Sequence, residues 1–197
     1  MDKQVVINLQ RYVGANVDGK LGEETLRLLF IKLGCPKVEV AKALAINANV
    51  QMKLKGISTN ALNFAHFIAQ CGHESGGFRY MEEIASGAAY EGRKDLGNTE
   101  AGDGKRYKGR GPIQLTGRAN YRRIGRRIGL DLEGNPFLVS DPSIGMWCAI
   151  EYWEENDLNA IAQADDVVKL TRRINGGTNG LDDRKARLAH IKKVMGI

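Results

Sequence analysis

Ser58-Thr59-Asn60-Ala61-Leu62-Asn63-Phe64-Ala65-His66-Phe67-Ile68-Ala69-Gln70-Cys71-Gly72-His73-Glu74-Ser75-Gly76-Gly77-Phe78 decides how the rest of the chain is read. Leu62, Ala65, Ile68 and Ala69 recur at helical spacing, so the stretch predicts a helix with one apolar face over about Thr59 to Gly72. Ser58 is placed to cap it by accepting a backbone N–H bond. His73 and Glu74 fall where the helix ends, directly before a Gly-Gly turn. A carboxylate at a helix C-terminus faces the negative end of the macrodipole. Position alone therefore leaves two readings of Glu74, a solvated helix end or a group held there for chemistry.

Downstream the backbone is built to turn. Eleven of the 24 glycines fall between Gly72 and Gly117, with Glu82, Glu83, Glu91, Asp95, Glu100 and Asp103 among them. Acids on loops carried by a rigid scaffold are candidates for binding and catalysis. Residues 77–112 read as mostly loop with a short helix around Met81 to Ala85, and Ile113 to Arg127 starts extended and becomes helical.

The flanks are helical too. Residues 3–15, Glu23 to Leu33 and Val38 to Ala48 read as helices, with a turn at Asn16 to Gly22. Ser140-Asp141-Pro142 opens another, Asp165 to Ile174 a further one, and Asp182 to Met195 a basic last helix. No long alternating run appears, so the fold is expected to be mainly α with little or no sheet. Trp147 and Trp153 are expected in the core. The division expected is an N-terminal helical segment, residues 1–36, packed on a main domain of residues 37–197. Leu9-Gln10, Asp18 to Gly22 and Thr25 resemble part of a small peptidoglycan-binding module.

With 197 residues, 43% hydrophobic and 26% charged, one sizeable core is expected. No apolar run reaches the length of a membrane span. The start, Met-Asp-Lys-Gln-Val-Val-Ile, has no h-region, so no signal peptide is read and the protein is expected first in the cytoplasm. Cys35, Cys71 and Cys148 show no paired or zinc-like spacing and are expected as buried thiols; no metal and no cofactor are expected. The net charge of +6 favours anionic partners such as a bacterial wall, a membrane surface or nucleic acid. Arg122, Arg123, Arg126 and Arg127 read as a solvated helix face, and no nucleic-acid motif accompanies them.

Three ordered segments carry a family resemblance. His73-Glu74-Ser75-Gly76-Gly77-Phe78 resembles the His-Glu-Thr-Thr-Gly-Gly segment of glycoside hydrolase family 19 chitinases. Tyr107-Lys108-Gly109-Arg110-Gly111-Pro112-Ile113-Gln114-Leu115-Thr116, continued by Asn120-Tyr121, resembles their Tyr-x-Gly-Arg-Gly-Pro-Ile-Gln segment, and Ile174-Asn175-Gly176-Gly177 their Ile-Asn-Gly-Gly. Tyr90 to Gly104 is similar to a run in the chitinase-like endolysins of bacteriophages and prophages.

The resemblance implies a lysozyme-like, family 19 chitinase-like helical domain with a substrate cleft. It implies Glu74 as general acid and a general base in the following loop, with Glu91 the best match and Glu83 and Glu100 the alternatives. Thr116 would help hold the attacking water. Gln114, Asn120 and Asn175 would contact sugar, with His73, Ser75 and Tyr107 as further candidates and Arg184 near the acid. An inverting mechanism is implied, with the carboxyls roughly 6.5–9.5 Å apart. The implied substrate is bacterial peptidoglycan, with a chitin-like oligosaccharide the alternative. The implied setting is a monomeric endolysin reaching the wall with a holin-type membrane partner and binding no nucleic acid. A non-catalytic wall-binding protein and a lytic transglycosylase, which needs one Glu only, stand beside it.

Overall fold

The computed structural model describes residues 1–197 and is built of helices and turns. In order these are α1 (Lys3–Val13), α2 (Glu23–Lys32), α3 (Val38–Leu54), α4 (Ala61–Glu74), α5 (Asp103–Arg106), α6 (Arg118–Ile128), α7 (Pro142–Glu155), α8 (Leu158–Gln163), α9 (Val167–Asn175) and α10 (Leu181–Met195). Short 3-10 turns occupy Ala88–Tyr90, Lys94–Leu96 and Pro136–Ser140. The only β pairing is two isolated bridges, Glu82 with Arg110 and Arg110 with Leu115. The mainly α expectation is met.

Helix α4 is the axis. Its residues 63–72 are all buried, so it is enclosed on every side rather than apolar on one face as expected. Phe64, Phe67, Ile68 and Cys71 fill the core around it, while Asn63, His66 and Gln70 are buried with polar partners. A helix buried all round is packed by neighbours on each side. Here α10 packs along α4, and α3 lies between α2 and α7. Phe67 meets Trp153 of α7 edge-on at 5.3 Å between ring centroids. Trp153 is fully buried with its indole N–H on Asn159 at 2.9 Å, and Trp147 packs half-buried against the core.

The N-terminal hairpin belongs to the same core. Val5, Leu9, Leu26, Leu29 and Phe30 join one buried cluster with residues of α3, α4 and α10. Buried Gln10 organises the turn between α1 and α2. Its amide donates to Asp18 Oδ1 at 2.7 Å and to Lys20 O at 3.0 Å, and its carbonyl accepts from Gly19 N at 2.8 Å.

Several boundaries differ from the sequence expectation. Helix α3 continues to Leu54 instead of stopping at Ala48, because Ala48 and Met52 extend its buried face. Asn60, not Ser58, caps α4, its side chain accepting from Asn63 N at 3.1 Å. No helix forms at Met81 to Ala85. That backbone is committed elsewhere: Glu83 N donates to Gly109 O at 2.9 Å, and Gly111 N donates to Met81 O at 2.9 Å. These non-local bonds outcompete a local turn. Residues 111–114 likewise form a tight turn rather than an extended run, closed by paired Arg110 and Leu115 backbone bonds.

The basic face of α6 is less free than its sequence suggests. Arg122 pairs with Glu133, Arg123 with Glu155, and Arg127 with Glu151 and Glu154. No helix is long and apolar enough to cross a membrane.

Candidate active site

The cleft forms where the end of α4 meets three other segments. About 410 Å³ is enclosed between Glu74, the Tyr90–Leu96 loop, the Ile113–Asn120 segment, and Asn175 and Asn179 beyond α9, with Tyr152 of α7 at its side. A larger hollow of about 880 Å³, bounded by Glu100, Asp103, Arg118 and Glu133, lies outside this group of residues. At its edge Arg118 already bonds Asp103, Glu133 and Glu100.

Glu74 is the last residue of α4, where Ser75 and the following turn stop the helix. Arg184 of α10, fully buried, donates from Nη2 to Glu74 Oε1 at 2.6 Å. The same guanidinium reaches Gln70 Oε1 and, from Nε, the Asn179 carbonyl at 3.2 Å. Arg184 therefore fixes the plane of the Glu74 carboxyl and offsets the unfavourable helix end. Oε2 has no protein partner and is left for a ligand.

Glu83 is not itself among the residues lining the cleft, but its carboxylate is bonded to one of them, Tyr90. Glu83 Oε1 accepts from the Tyr90 hydroxyl at 3.0 Å, and Glu83 Oε2 accepts from Gly109 N at 3.1 Å. Gln114 Oε1 and Glu83 Oε2 crowd the same face of Gly109. Burial raises the Tyr90 phenol above its ordinary pKa, and the negative charge and hydrogen bond of Glu83 add to the shift. Glu74 contributes in the same direction, so this one phenol lies in the field of both carboxylates. Tyr152 is also raised, first by burial, with Glu74 again contributing.

Thr116 lines the cleft and donates from Oγ1 to the Gln114 carbonyl at 2.9 Å, leaving its oxygen lone pairs for a water. Asn120 also lines it, its amide on the Thr116 carbonyl at 2.7 Å. Gln114 adopts a left-handed backbone (φ 54°), a strained conformation for a non-glycine residue, and bonds the Gly111 carbonyl at 3.0 Å. Asn175 sits at the end of α9 in the same wall.

Other sequence candidates are placed elsewhere. Glu91 is absent from the cleft lining and its carboxylate bonds the loop's own backbone: Oε1 accepts from Gly102 N at 2.7 Å and Oε2 from Gly104 N at 2.8 Å. Glu100 is 70% exposed and bridges to Arg118 at 3.1 Å beside the larger hollow. Ser75 is fully buried, closing the helix end by donating to Cys71 O at 2.6 Å and accepting from Phe78 N at 2.8 Å. Tyr107 is a core residue against Tyr121 and Arg118, its hydroxyl on the Glu133 carbonyl. His73 bonds Asp183 at 2.7 Å and stands outside the cleft wall. Conversely, Tyr90, Arg93, Tyr152 and Asn179 line the cleft without having been singled out for it. Tyr90 and Arg93 lie within the Tyr90–Gly104 run and Asn179 follows the Ile174–Gly177 segment; Tyr152, on a helix distant in sequence, carried no signal.

A helical scaffold with an acid on a buried helix end, a second hydrogen-bonded carboxylate and an amide-lined cleft is the arrangement of a glycoside hydrolase. The profile of family 19, described as chitinase class I, matches residues 51–174. A glycosyl hydrolase family 19 domain-containing protein of Haemophilus influenzae is 33% identical over 171 residues, covering 71% of this chain and 82% of that protein. An Arabidopsis thaliana endochitinase is 40% identical over 114 residues, 57% of this chain and 39% of its own length. In fold, the chain is similar to chitinase C from Streptomyces griseus, with a TM-score of 0.71 at 24% identity over 90% of this chain and 95% of that one. A class IV chitinase from Zea mays gives a TM-score of 0.61 at 22% identity over 83% of each chain. The chain belongs to glycoside hydrolase family 19.

Proposed function

We propose that this hydrolase cleaves β-1,4 bonds of bacterial peptidoglycan glycan strands by single displacement, as an endolysin. The observation that carries the chemistry is the pair Glu74 and Glu83, each held by hydrogen bonds in one orientation, with Tyr90 in the field of both.

Glu74 Oε2 carries the proton to the leaving glycosidic oxygen while Arg184 steadies Oε1. Glu83 accepts a proton from water as that water attacks the anomeric carbon from the opposite face, and Thr116 holds the water. The C1–O bond breaks, a new C1–O bond forms with inverted configuration, and Glu74 and Glu83 exchange protons with solvent to reset. The base is assigned to Glu83 because its carboxylate is joined to Tyr90, a residue of the cleft wall, whereas Glu91 bonds Gly102 N and Gly104 N and Glu100 pairs with Arg118 beside the other hollow. Gln114, Asn120, Asn175 and Asn179 supply amide donors and acceptors suited to acetamido and hydroxyl groups.

The net charge of +6 and the Tyr90–Gly104 run resembling phage endolysins support wall over chitin. Such an enzyme would be held in the host cytoplasm, act as a monomer and reach the wall when a holin-type partner opens the membrane. The test is digestion of purified peptidoglycan and of chitin oligosaccharides, with product masses and proton NMR of the new reducing end. Release of reducing muropeptides with the inverted anomer supports the reading. Turnover of chitin alone would replace it with the second reading, a chitinase, which the name of the Arabidopsis relative favours. An anhydro sugar would exclude hydrolysis.

A further inference from the structure

We infer that Glu91 is a positioning residue: its carboxylate closes the 91–104 loop and so holds the Tyr90 hydroxyl against Glu83. This rests on the reading of Glu83 as the base. Both Glu91 oxygens are occupied by backbone donors 11 and 13 residues away, Gly102 N and Gly104 N. An ionised carboxylate is acceptor-only and can serve two N–H groups at once. A glutamine in its place would turn an NH2 towards one of them.

A second clamp secures the same point from the other side. Buried Asn98 donates to the Tyr90 carbonyl at 2.9 Å and accepts from Arg118 N at 2.9 Å, tying the loop to the start of α6. The closed loop is tight: a Cβ on Gly104 would lie 2.6 Å from Glu91 N and 2.7 Å from the Gly87 carbonyl. Tyr90 is thus fixed through its own carbonyl and through its neighbour's side chain. Its ring forms part of the cleft wall, and its hydroxyl meets Glu83 Oε1 at 3.0 Å. With Gly109 N on Oε2, the Glu83 carboxylate is pinned at both oxygens, and only its remaining lone pairs are open to water. Removing Glu91 frees the loop and lets Glu83 lose one of those two restraints. Misplacement of a catalytic group by about 1 Å costs roughly 100-fold in rate.

The test uses the full chain carrying Tyr90→Phe, Glu91→Ala, Glu91→Gln, the Tyr90→Phe/Glu91→Ala double substitution and, separately, Glu83→Ala. All are assayed on the substrate the wild type turns over, with and without sodium azide, and folding is checked by circular dichroism. Tyr90→Phe and Glu91→Ala each lower kcat by about 10- to 100-fold with KM within about twofold. The double variant is no worse than Tyr90→Phe, because Glu91 acts through Tyr90. Azide restores turnover to Glu83→Ala by attacking C1 in place of water, giving a glycosyl azide while the leaving sugar departs with the proton from Glu74, and it leaves Glu91→Ala unchanged.

Additive losses in the double variant, or near wild-type kcat in Glu91→Ala, overturn the inference. So does azide rescue of Glu91→Ala with a glycosyl azide product, which would make Glu91 the base. Wild-type turnover by Glu83→Ala would instead overturn the reading beneath it. If Glu91→Ala does not fold, Glu91→Gln, which keeps one acceptor oxygen, replaces it in the same comparisons.

Discussion

Arg184 Nη2 lies 2.6 Å from Glu74 Oε1, joining α10 to the end of α4 across 110 residues of sequence. The guanidinium is fully buried and the carboxyl side chain 16% exposed, so the pair is shielded from solvent screening. Removing one partner of such a pair leaves a buried charge and costs about 3–5 kcal/mol. Arg184→Met is expected to lose most of that stability in urea melts, and its kcat falls with it. Arg184→Lys falls between, since one ammonium cannot reproduce the guanidinium's bonds to Gln70, Asn179 and Glu74. Glu74→Gln keeps the shape, stays folded and loses about 100- to 10,000-fold in kcat. Near wild-type turnover by the folded Gln variant would remove Glu74 from the acid role.

Glu133 ties α6 to the loop that follows it. The Arg122 hydrogen bond, with help from Arg118, pushes its carboxyl from an ordinary 4.5 down to about 2. A depressed folded-state value stabilises the native protein above the unfolded value, and that contribution is lost as pH falls towards the folded one. The stability gap between wild type and Glu133→Gln is therefore full at pH 6 and shrinks between about pH 4.5 and pH 2. Urea midpoints across that range measure it, and a constant gap would contradict the assignment.

The three thiols are buried and unpaired. Burial raises Cys71 well above the ordinary thiol value and Cys148 to about 12, and raises Cys35 as well. The thiolate is the reactive form, so iodoacetamide at pH 8 is expected to leave the native protein unmodified and label all three after unfolding. Mass spectrometry reports the count, and rapid native labelling at Cys71 or Cys148 would show that the core opens.

Gly77 has φ 80° and approaches the end of α2; an added Cβ would stand 2.5 Å from the Leu33 carbonyl oxygen. Gly14 has φ 77° with open space around it. Gly14→Ala should cost only the left-handed penalty, roughly 1–2 kcal/mol. Gly77→Ala adds a backbone clash and is expected to cost clearly more in the same denaturation assay. Equal costs would show that the turn relaxes freely away from α2.

The mainly helical architecture, most helix starts and the place of Glu74 on a helix end are all legible in the sequence. They follow from periodicity, capping side chains and glycine stops, which act over a few residues. The three family 19 segments also brought Gln114, Thr116, Asn120 and Asn175 into one expected site, and the cleft contains all four. Which loop glutamate is joined to the cleft wall was not legible. Glu83 and Glu91 are both glutamates in a glycine-rich loop, and nothing local distinguishes them. Glu83 is defined by Gly109 N, 26 residues on, and by Tyr90, while Glu91 is consumed by Gly102 and Gly104. Burial of Ser75 and Tyr107 is likewise settled by what packs around them. Local propensity determines which helices form. Hydrogen bonds between distant segments decide which carboxylate is joined to the cleft wall, because only the folded chain brings Tyr90 and Gly109 to Glu83 and the Gly102–Gly104 turn to Glu91.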